Sequence, residues 1–280
     1  MKKNPSIFWL VSYPKSGNTW CRVFLSNYLY GGDAPVSINS LKDIPFASGR
    51  GLVDLYYGVN SSEMTEEEAW DFRRELFRII HENSEDIKII KAHEAYTRNA
   101  LTNFFADEIT AGVVYVVRNP LDVAVSLANH MNEPVDHIVD YMADEGFRMS
   151  IPGEKWKSQF PQSLLSWSSH VKSWTEEYPG TVHLIRYEDL SRNPEREFSR
   201  LLTYLNQVPD ENRLERAIQF SSFSSLQAQE AREGFCEKFP DSKVFFREGK
   251  SGSWQRLLSP DQVTRVRENH EMMMKKMEYI

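Results

Sequence analysis

Residues 7–30, IFWLVSYPKSGNTWCRVFLSNYLY, change character twice. The run from Ile7 to Val11 is β-branched, aromatic or leucine, the composition of a buried strand. Pro14 ends it near Tyr13, because proline has no N–H to give a neighbouring strand. Trp20, Val23, Phe24, Asn27, Tyr28 and Tyr30 then fall at the spacings of one helical face, so a helix starts near Asn18 or Thr19, both good caps. Between the two lies a loop, Pro14 to Thr19, carrying Lys15, Ser16 and Gly17. The stretch reads strand, loop, helix.

Amides at a helix N-terminus sit at the positive end of its dipole, and a lysine with nearby hydroxyl and amide side chains completes an anion site. The expected ligand is phosphate-like. An ordinary nucleotide loop needs G-x-x-x-x-G-K-S/T, whereas here the lysine precedes the glycine. The Gly-Lys-Ser at 249–251 has Val244 in place of the first glycine. On this loop alone, the other reading is a plain strand-to-helix turn with an exposed lysine.

Two further stretches match this pattern. In IKIIKAHEAY, residues 87–96, a buried parallel strand is predicted, and its period of two sends Lys91 and His93 to the same side. Ligands of open α/β sheets lie beyond the strands' carboxyl ends, so both side chains face one cleft. Taken alone, a histidine there is more often structural than catalytic. In GVVYVVRNPLDVAVSLANHM, residues 112–131, Val113 to Val117 form a strand, Asn119 caps a helix and Pro120 takes its first position. Arg118 then stands at the strand's end and Ser126 about two turns into the helix, able to reach one anion from two sides.

The rest of the chain alternates similarly. Thr65 to Glu68 is a capping box opening a helix with Ala69, Phe72, Leu76, Phe77 and Ile80 on one face. Leu164 to Tyr178 reads as a helix, Val182 to Tyr187 as a strand, Asn193-Pro194 as a helix start, and Ser259 to Gln262 as the capping box of the last helix. The prediction is α/β: one domain over 1–280, a central parallel sheet flanked by helices on both faces, and a P-loop-like strand-loop-helix nucleotide site. Residues 31–62 and 130–161 lack periodicity and read either as lids or as surface connections.

YPKSGNTW resembles the 5′-phosphosulfate loop of the soluble sulfotransferases that use 3′-phosphoadenosine-5′-phosphosulfate (PAPS), usually Y-P-K-S/A-G-T/N-T/N-W. The resemblance implies that Lys15, Ser16, Gly17, Asn18 and Thr19 hold the donor's 5′ end, with Trp20 placed to stack on adenine. Lys91-Ala92-His93 is similar to the family's K-T/A-H, which makes His93 the general base and Lys91 the sulfonate contact. Arg118 and Ser126 fit R-N-P-x-D-x-x-x-S, the 3′-phosphate motif, and Ser126 is expected to hold Lys15 aside until an acceptor arrives. Tyr187 of Tyr-Glu-Asp-Leu and Phe223 of Ser-Ser-Phe fall where the family contacts the purine. Phe246 to Trp254 resembles F-x-R-K-G-x-x-G-D-W-K and retains Arg247 and Gly249. Glu248, Ser253 and Gln255 depart from that pattern, so Glu248 is expected to point away, with Lys250 standing in. The family's dimer motif is not found, which leaves oligomeric state open.

A net charge of −7 and a pI near 5.6 disfavour nucleic acid and anionic membranes as partners. The apolar run after Lys2 and Lys3 is too short for a leader, and none approaches the roughly 20 residues of a membrane span. Cys21 and Cys236 are too few for a disulfide framework, so a cytoplasmic, reducing setting is expected. Sulfuryl transfer resembles phosphoryl transfer, in which positioning and charge stabilisation dominate, so no metal is expected. The acceptor expectation is a small molecule of secondary metabolism, cationic or polar, such as a guanidinium alkaloid reacting through a hydroxyl or an amine or carbamoyl nitrogen. It rests on Glu94 after the base and on Glu133, Asp136, Asp140, Asp144 and Glu145, for which a solvated face is the slightly stronger reading. Kept beside it are a nucleotide kinase or NTPase and a non-catalytic nucleotide-binding protein.

Overall fold

A computed structural model describes residues 3–41, 43–97, 104–150, 158–238 and 244–280. In chain order the first half comprises β1 (Ile7–Ser12), α1 (Asn18–Tyr30), α2 (Arg50–Tyr57), α3 (Glu66–Glu82), β2 (Lys88–Ala92), β3 (Thr110–Val117), α4 (Pro120–Met131) and α5 (Val135–Ala143). The second half comprises β4 (Arg148–Met149), β5 (Gln162–Ser163), α6 (Trp167–Lys172), β6 (Val182–Arg186), α7 (Tyr187–Arg192), α8 (Pro194–Tyr204), α9 (Glu211–Phe220), α10 (Phe223–Glu233), α11 (Trp254–Leu257) and α12 (Pro260–Lys276). The main sheet runs β2-β1-β3-β6, every pair parallel, while β4 and β5 form a small antiparallel ribbon.

Residue alternation divides the core between the sheet's two faces. Ile7, Trp9 and Val11 pack with Val113, Tyr115 and Val117 in a layer that includes Phe77, Leu127, Trp167 and Trp174. Phe8 and Leu10 pack on the other face with Val114, Val116, Phe24, Phe198 and Leu201. Helices therefore cover both faces, which is why these strands carry near-continuous apolar runs. All four carboxyl ends point one way, toward the loops that hold Lys15, His93, Arg118 and Tyr187.

The capping boxes at Thr65 and Ser259 and the Asn119 and Asn193 caps all form. Four details differ from the sequence reading. β1 ends at Ser12 and β6 at Arg186, each one residue early, and Tyr187 opens α7. The helix expected from Leu164 begins at Trp167, and its last turn, Ser173–Glu177, is a π-turn in which the Tyr178 N–H donates to the Ser173 carbonyl at 2.9 Å. Residues 31–62 contain α2 and a 3₁₀ turn, and residues 45–47 run along the outer edge of β2. There the Lys91 N–H donates to Pro45 O at 2.9 Å and the Ala47 N–H to Lys91 O at 2.7 Å. That contact covers the sheet edge and fixes Phe46 beside Lys91. Within 130–161, α5 and β4 are formed, and residues 151–157 lie outside the described residues.

Candidate active site

The loop after β1 turns by two left-handed residues, Lys15 (φ 66) and Gly17 (φ 108). Gly17, rather than Asn18 or Thr19, is the N-cap of α1, and no side chain caps it. The Asn18 side chain is used otherwise, its Nδ2 donating to the Leu10 carbonyl at 2.9 Å and tying the loop to the strand. A Cβ on Gly17 would stand 2.7 Å from the Tyr187 ring, so both the backbone angle and the close approach demand glycine. Left-handed residues in a turn are the backbone conformation from which anion nests are built, and here the Ser16 N–H is taken by the Tyr13 carbonyl at 3.3 Å. Four buried polar atoms around this loop lack a partner: Ser16 Oγ, Asn18 Oδ1, Trp20 Nε1 and Arg118 Nε. Buried polar atoms are normally satisfied, so this cluster fits a polar ligand with several donors and acceptors.

Burial, and then Arg118 and Lys91, push the Lys15 ammonium down to about 7, against the pull of Glu230 and Glu237. Its Nζ rests on the face of Phe245, 3.4 Å from the ring centroid. Glu230 on α10 fixes that ring by accepting the Phe245 and Phe246 N–H groups at 2.7 and 2.8 Å. Among the described residues no hydrogen bond joins Lys15 to Ser126, although both line the same cavity. The cation is parked on an aromatic face instead.

The second part of the cavity comes from β3, α4 and the residues around Gly249. Arg118 is buried, lies 4.3 Å over the Tyr187 ring, and donates to Lys15 O at 3.1 Å and Lys250 O at 3.0 Å. It thus holds the two loops together. Asp122, given only as a motif position by the sequence, accepts from the Gly252 N–H at 2.7 Å and from the Trp254 N–H at 3.2 Å. That carboxylate ties down the segment before α11. Gly249 is left-handed (φ 63), and a Cβ there would fall 2.3 Å from the Phe223 ring, so Phe223 and Gly249 are packed as one unit. Arg247 and Lys250 line the cavity. Glu248 also lines it, balanced by Arg256 at 3.4 Å and Arg247 at 3.8 Å. Trp20 lines the same cavity, edge-on to Tyr187 at 5.9 Å between centroids.

Beyond the end of β2, His93 Nδ1 lies 2.8 Å from the Ser12 carbonyl. A carbonyl only accepts, so Nδ1 carries the hydrogen and Nε2 keeps its lone pair. Burial first, and Lys91 second, push the imidazole down to about 3, so it is neutral at physiological pH. The backbone at His93 is clamped in turn: the His93 carbonyl accepts from His170 Nε2 at 2.9 Å, and Tyr115 OH donates to His170 Nδ1 at 2.8 Å. Lys91 is buried, 4.5 Å over the Phe46 ring, and bonded to Glu237 Oε2 at 2.7 Å.

Glu94 turns the other way. One residue beyond His93, the alternation sends it into the opposite layer, where it forms a buried ion pair with Arg73 at 2.5 Å and accepts from Ser48 Oγ. It is therefore spent on the core and does not line the cavity. Asp136 and Asp140 pair with Arg265, Glu133 pairs with His137 at 3.1 Å, Asp144 caps the Gly146 N–H at 2.8 Å, and Glu145 accepts from Ser169 Oγ at 2.9 Å. These carboxylates form a paired surface. Besides Asp122 and Glu248, a third carboxylate lines the cavity next to Lys91: Glu237, which the sequence reading missed. It also missed Phe46, Arg22, Asp122, Glu230 and Phe245; of these only Arg22, a buried charge on an otherwise uncharged helix, and Asp122, within its motif, left a sequence signal.

The Sulfotransferase domain family matches residues 5–278, so the chain belongs to the sulfotransferase family. Among its relatives, Sulfotransferase 1A1 of Rattus norvegicus is 26% identical over 90% of this chain and 78% of its own length. Cytosolic sulfotransferase 12 of Arabidopsis thaliana is 25% identical over 89% and 72%. Among solved structures, mouse sulfotransferase SULT7A1 complexed with PAP superposes with a TM-score of 0.64 at 18% identity, covering 98% of this chain and 86% of that one. Retinol dehydratase in a complex with retinol and PAP also gives 0.64, at 15% identity over 98% and 83%. The fold is thus that of the family's α/β domain. Among the described residues no helix is long and apolar enough to cross a membrane, and no three His, Cys, Asp or Glu side chains are grouped to hold a metal ion.

Proposed function

We propose that this chain transfers a sulfuryl group from PAPS to a hydroxyl, or to an amine or carbamoyl nitrogen, of a small-molecule acceptor, with His93 as the general base. The observation that carries the reading is His93 itself. Its tautomer is fixed by the Ser12 carbonyl, its Nε2 lone pair is uncommitted, and it lines one cavity with Lys15 and Lys91. The donor's 5′ end belongs with Lys15, Ser16, Gly17, Asn18 and Thr19, its 3′-phosphate with Arg118, Ser126, Arg247 and the Gly249 amide, and its adenine with Trp20, Tyr187 and Phe223. The unpartnered atoms at Ser16, Trp20 and Arg118 support that placement.

The roles follow from charge. As the acceptor attacks, His93 Nε2 takes its proton. Lys15 offsets charge growing on the departing phosphate, and Lys91 engages the transferring sulfonate. Binding a polyanion also raises the depressed pKa of Lys15, because each added negative charge favours its protonated form.

The cationic-alkaloid reading of the acceptor loses its original support, since Glu94 and the carboxylates between 133 and 145 are engaged elsewhere. What remains for it is a polar lining from Gln159 and Gln162 beside Phe46 and Met149. A panel of cationic, phenolic and neutral polar acceptors with radiolabelled PAPS tests both levels. Label transfer to any acceptor supports sulfuryl transfer, and preference for phenols ends the cationic reading. Mg-ATP raising the melting temperature more than PAP would favour a kinase instead.

A further inference from the structure

Glu237 bridges two cations that no surface contact requires. Its Oε2 accepts from Lys91 at 2.7 Å and its Oε1 from Arg22. Arg22 is a fixed partner, for its Nε donates to the Ile44 carbonyl at 2.7 Å and its Nη2 to the Leu41 carbonyl at 2.9 Å, both buried contacts. Lys91 is equally buried and close to His93. The carboxylate thus offers two oxygens on one atom, one to each cation, directly in the reaction cleft. Burial would raise its pKa, but Lys91 and Arg22 overcome that and hold it well below the usual carboxylate range, so it stays ionised.

A sulfonate presents the same pattern, two oxygens on one centre with a negative charge. It cannot share this place with Glu237, because like charges at contact in a buried cleft repel strongly. We propose that the Glu237 carboxylate stands in for the transferred group in the resting enzyme, so that the donor's sulfonate must displace it and the desulfated product need not. Glu237 is then a specificity residue that reads whether the bound nucleotide is sulfated. On displacement, Lys91 and Arg22 pass to the sulfonate, and after transfer the carboxylate returns and opposes rebinding of a sulfated group. This inference rests on the PAPS reading above.

The test is calorimetric titration of the full chain, without acceptor, with PAP and with PAPS, for wild type and E237Q. Glutamine keeps the shape and removes the competing charge. PAPS affinity should rise on the order of tenfold or more, the scale of one charge-assisted hydrogen bond, while PAP affinity changes little. E237D, which keeps the charge on a shorter arm, should shift the PAPS-to-PAP ratio in the same direction by less, and it serves if E237Q fails to fold by circular dichroism. An unchanged ratio in the folded variants, or an equal shift for both nucleotides, overturns the clasp but leaves the sulfotransferase reading standing. Wild type binding neither nucleotide overturns both.

Discussion

At the proposed donor end of the cavity, Lys15 and Arg118 each sit on a short segment whose neighbours in sequence already specify its shape, a left-handed turn and the approach to a proline-started helix, while Gly249 packs on the distant Phe223. At the proposed acceptor end, Phe46, Met149, Gln162 and Glu237 come from four separate stretches and meet only through tertiary contacts, such as the pairing of residues 45–47 with β2. The first region is largely local in sequence. The second is assembled from connections, which is where binding specificity can vary without disturbing the fold.

That contrast can be broken first at His93, where the two regions meet. His93→Ala should lower turnover by roughly two to four orders of magnitude, the range for a lost general base, with PAP affinity little changed. Near-normal turnover in steady-state assays removes its role. At the donor end, Lys15→Ala should cost about 3 kcal/mol of transition-state stabilisation, comparable to losing one oxyanion donor. Because the Lys15 ammonium is held near 7, PAP affinity of the wild type should also weaken as pH rises through 7, and that dependence should vanish in the variant. Persistence of the pH effect in Lys15→Ala would assign it to another group.

Asp122 sharpens the comparison from the supporting side. Asp122→Ala frees the Gly252 and Trp254 amides and should cost about 1–3 kcal/mol, the range for unpairing buried donors, seen as a higher KM for PAPS with kcat nearly kept. A fall in kcat alone would mean that Asp122 serves the chemistry rather than the segment around Gly252.

A last effect is on stability rather than on catalysis and involves neither region alone. Burial holds His93 near 3 and His170 near 4, against about 6.5 in an unfolded chain. As pH falls from about 6.5 to 4 the unfolded state binds more protons, so stability falls with pH, each of these fully buried imidazoles adding about 1.4 kcal/mol per unit. The melting temperature should drop across that window. A flat profile would place these histidines in solvent.

The same contrast explains what the sequence disclosed. The sheet and the donor loops were legible because strand periodicity, Pro14, Asn119-Pro120 and the two capping boxes are local signals. Glu94 was misread because direct succession to His93 suggested a shared cleft, whereas strand alternation sends adjacent side chains to opposite faces. Glu237 and Phe245 gave no signal, since their significance lies in reaching Lys91, Arg22 and Lys15 from far along the chain. The cap of α1 was assigned to Asn18 or Thr19, but the Asn18 side chain is used on β1 and Gly17 takes the cap.

Titrating the pure protein with PAP in a calorimeter tests most directly whether the Lys15 loop and the Arg118–Gly249 loops together grip a doubly phosphorylated adenosine. One-to-one binding that weakens in both Lys15→Ala and Asp122→Ala is expected. No heat on titration, or binding indifferent to both substitutions, would contradict it.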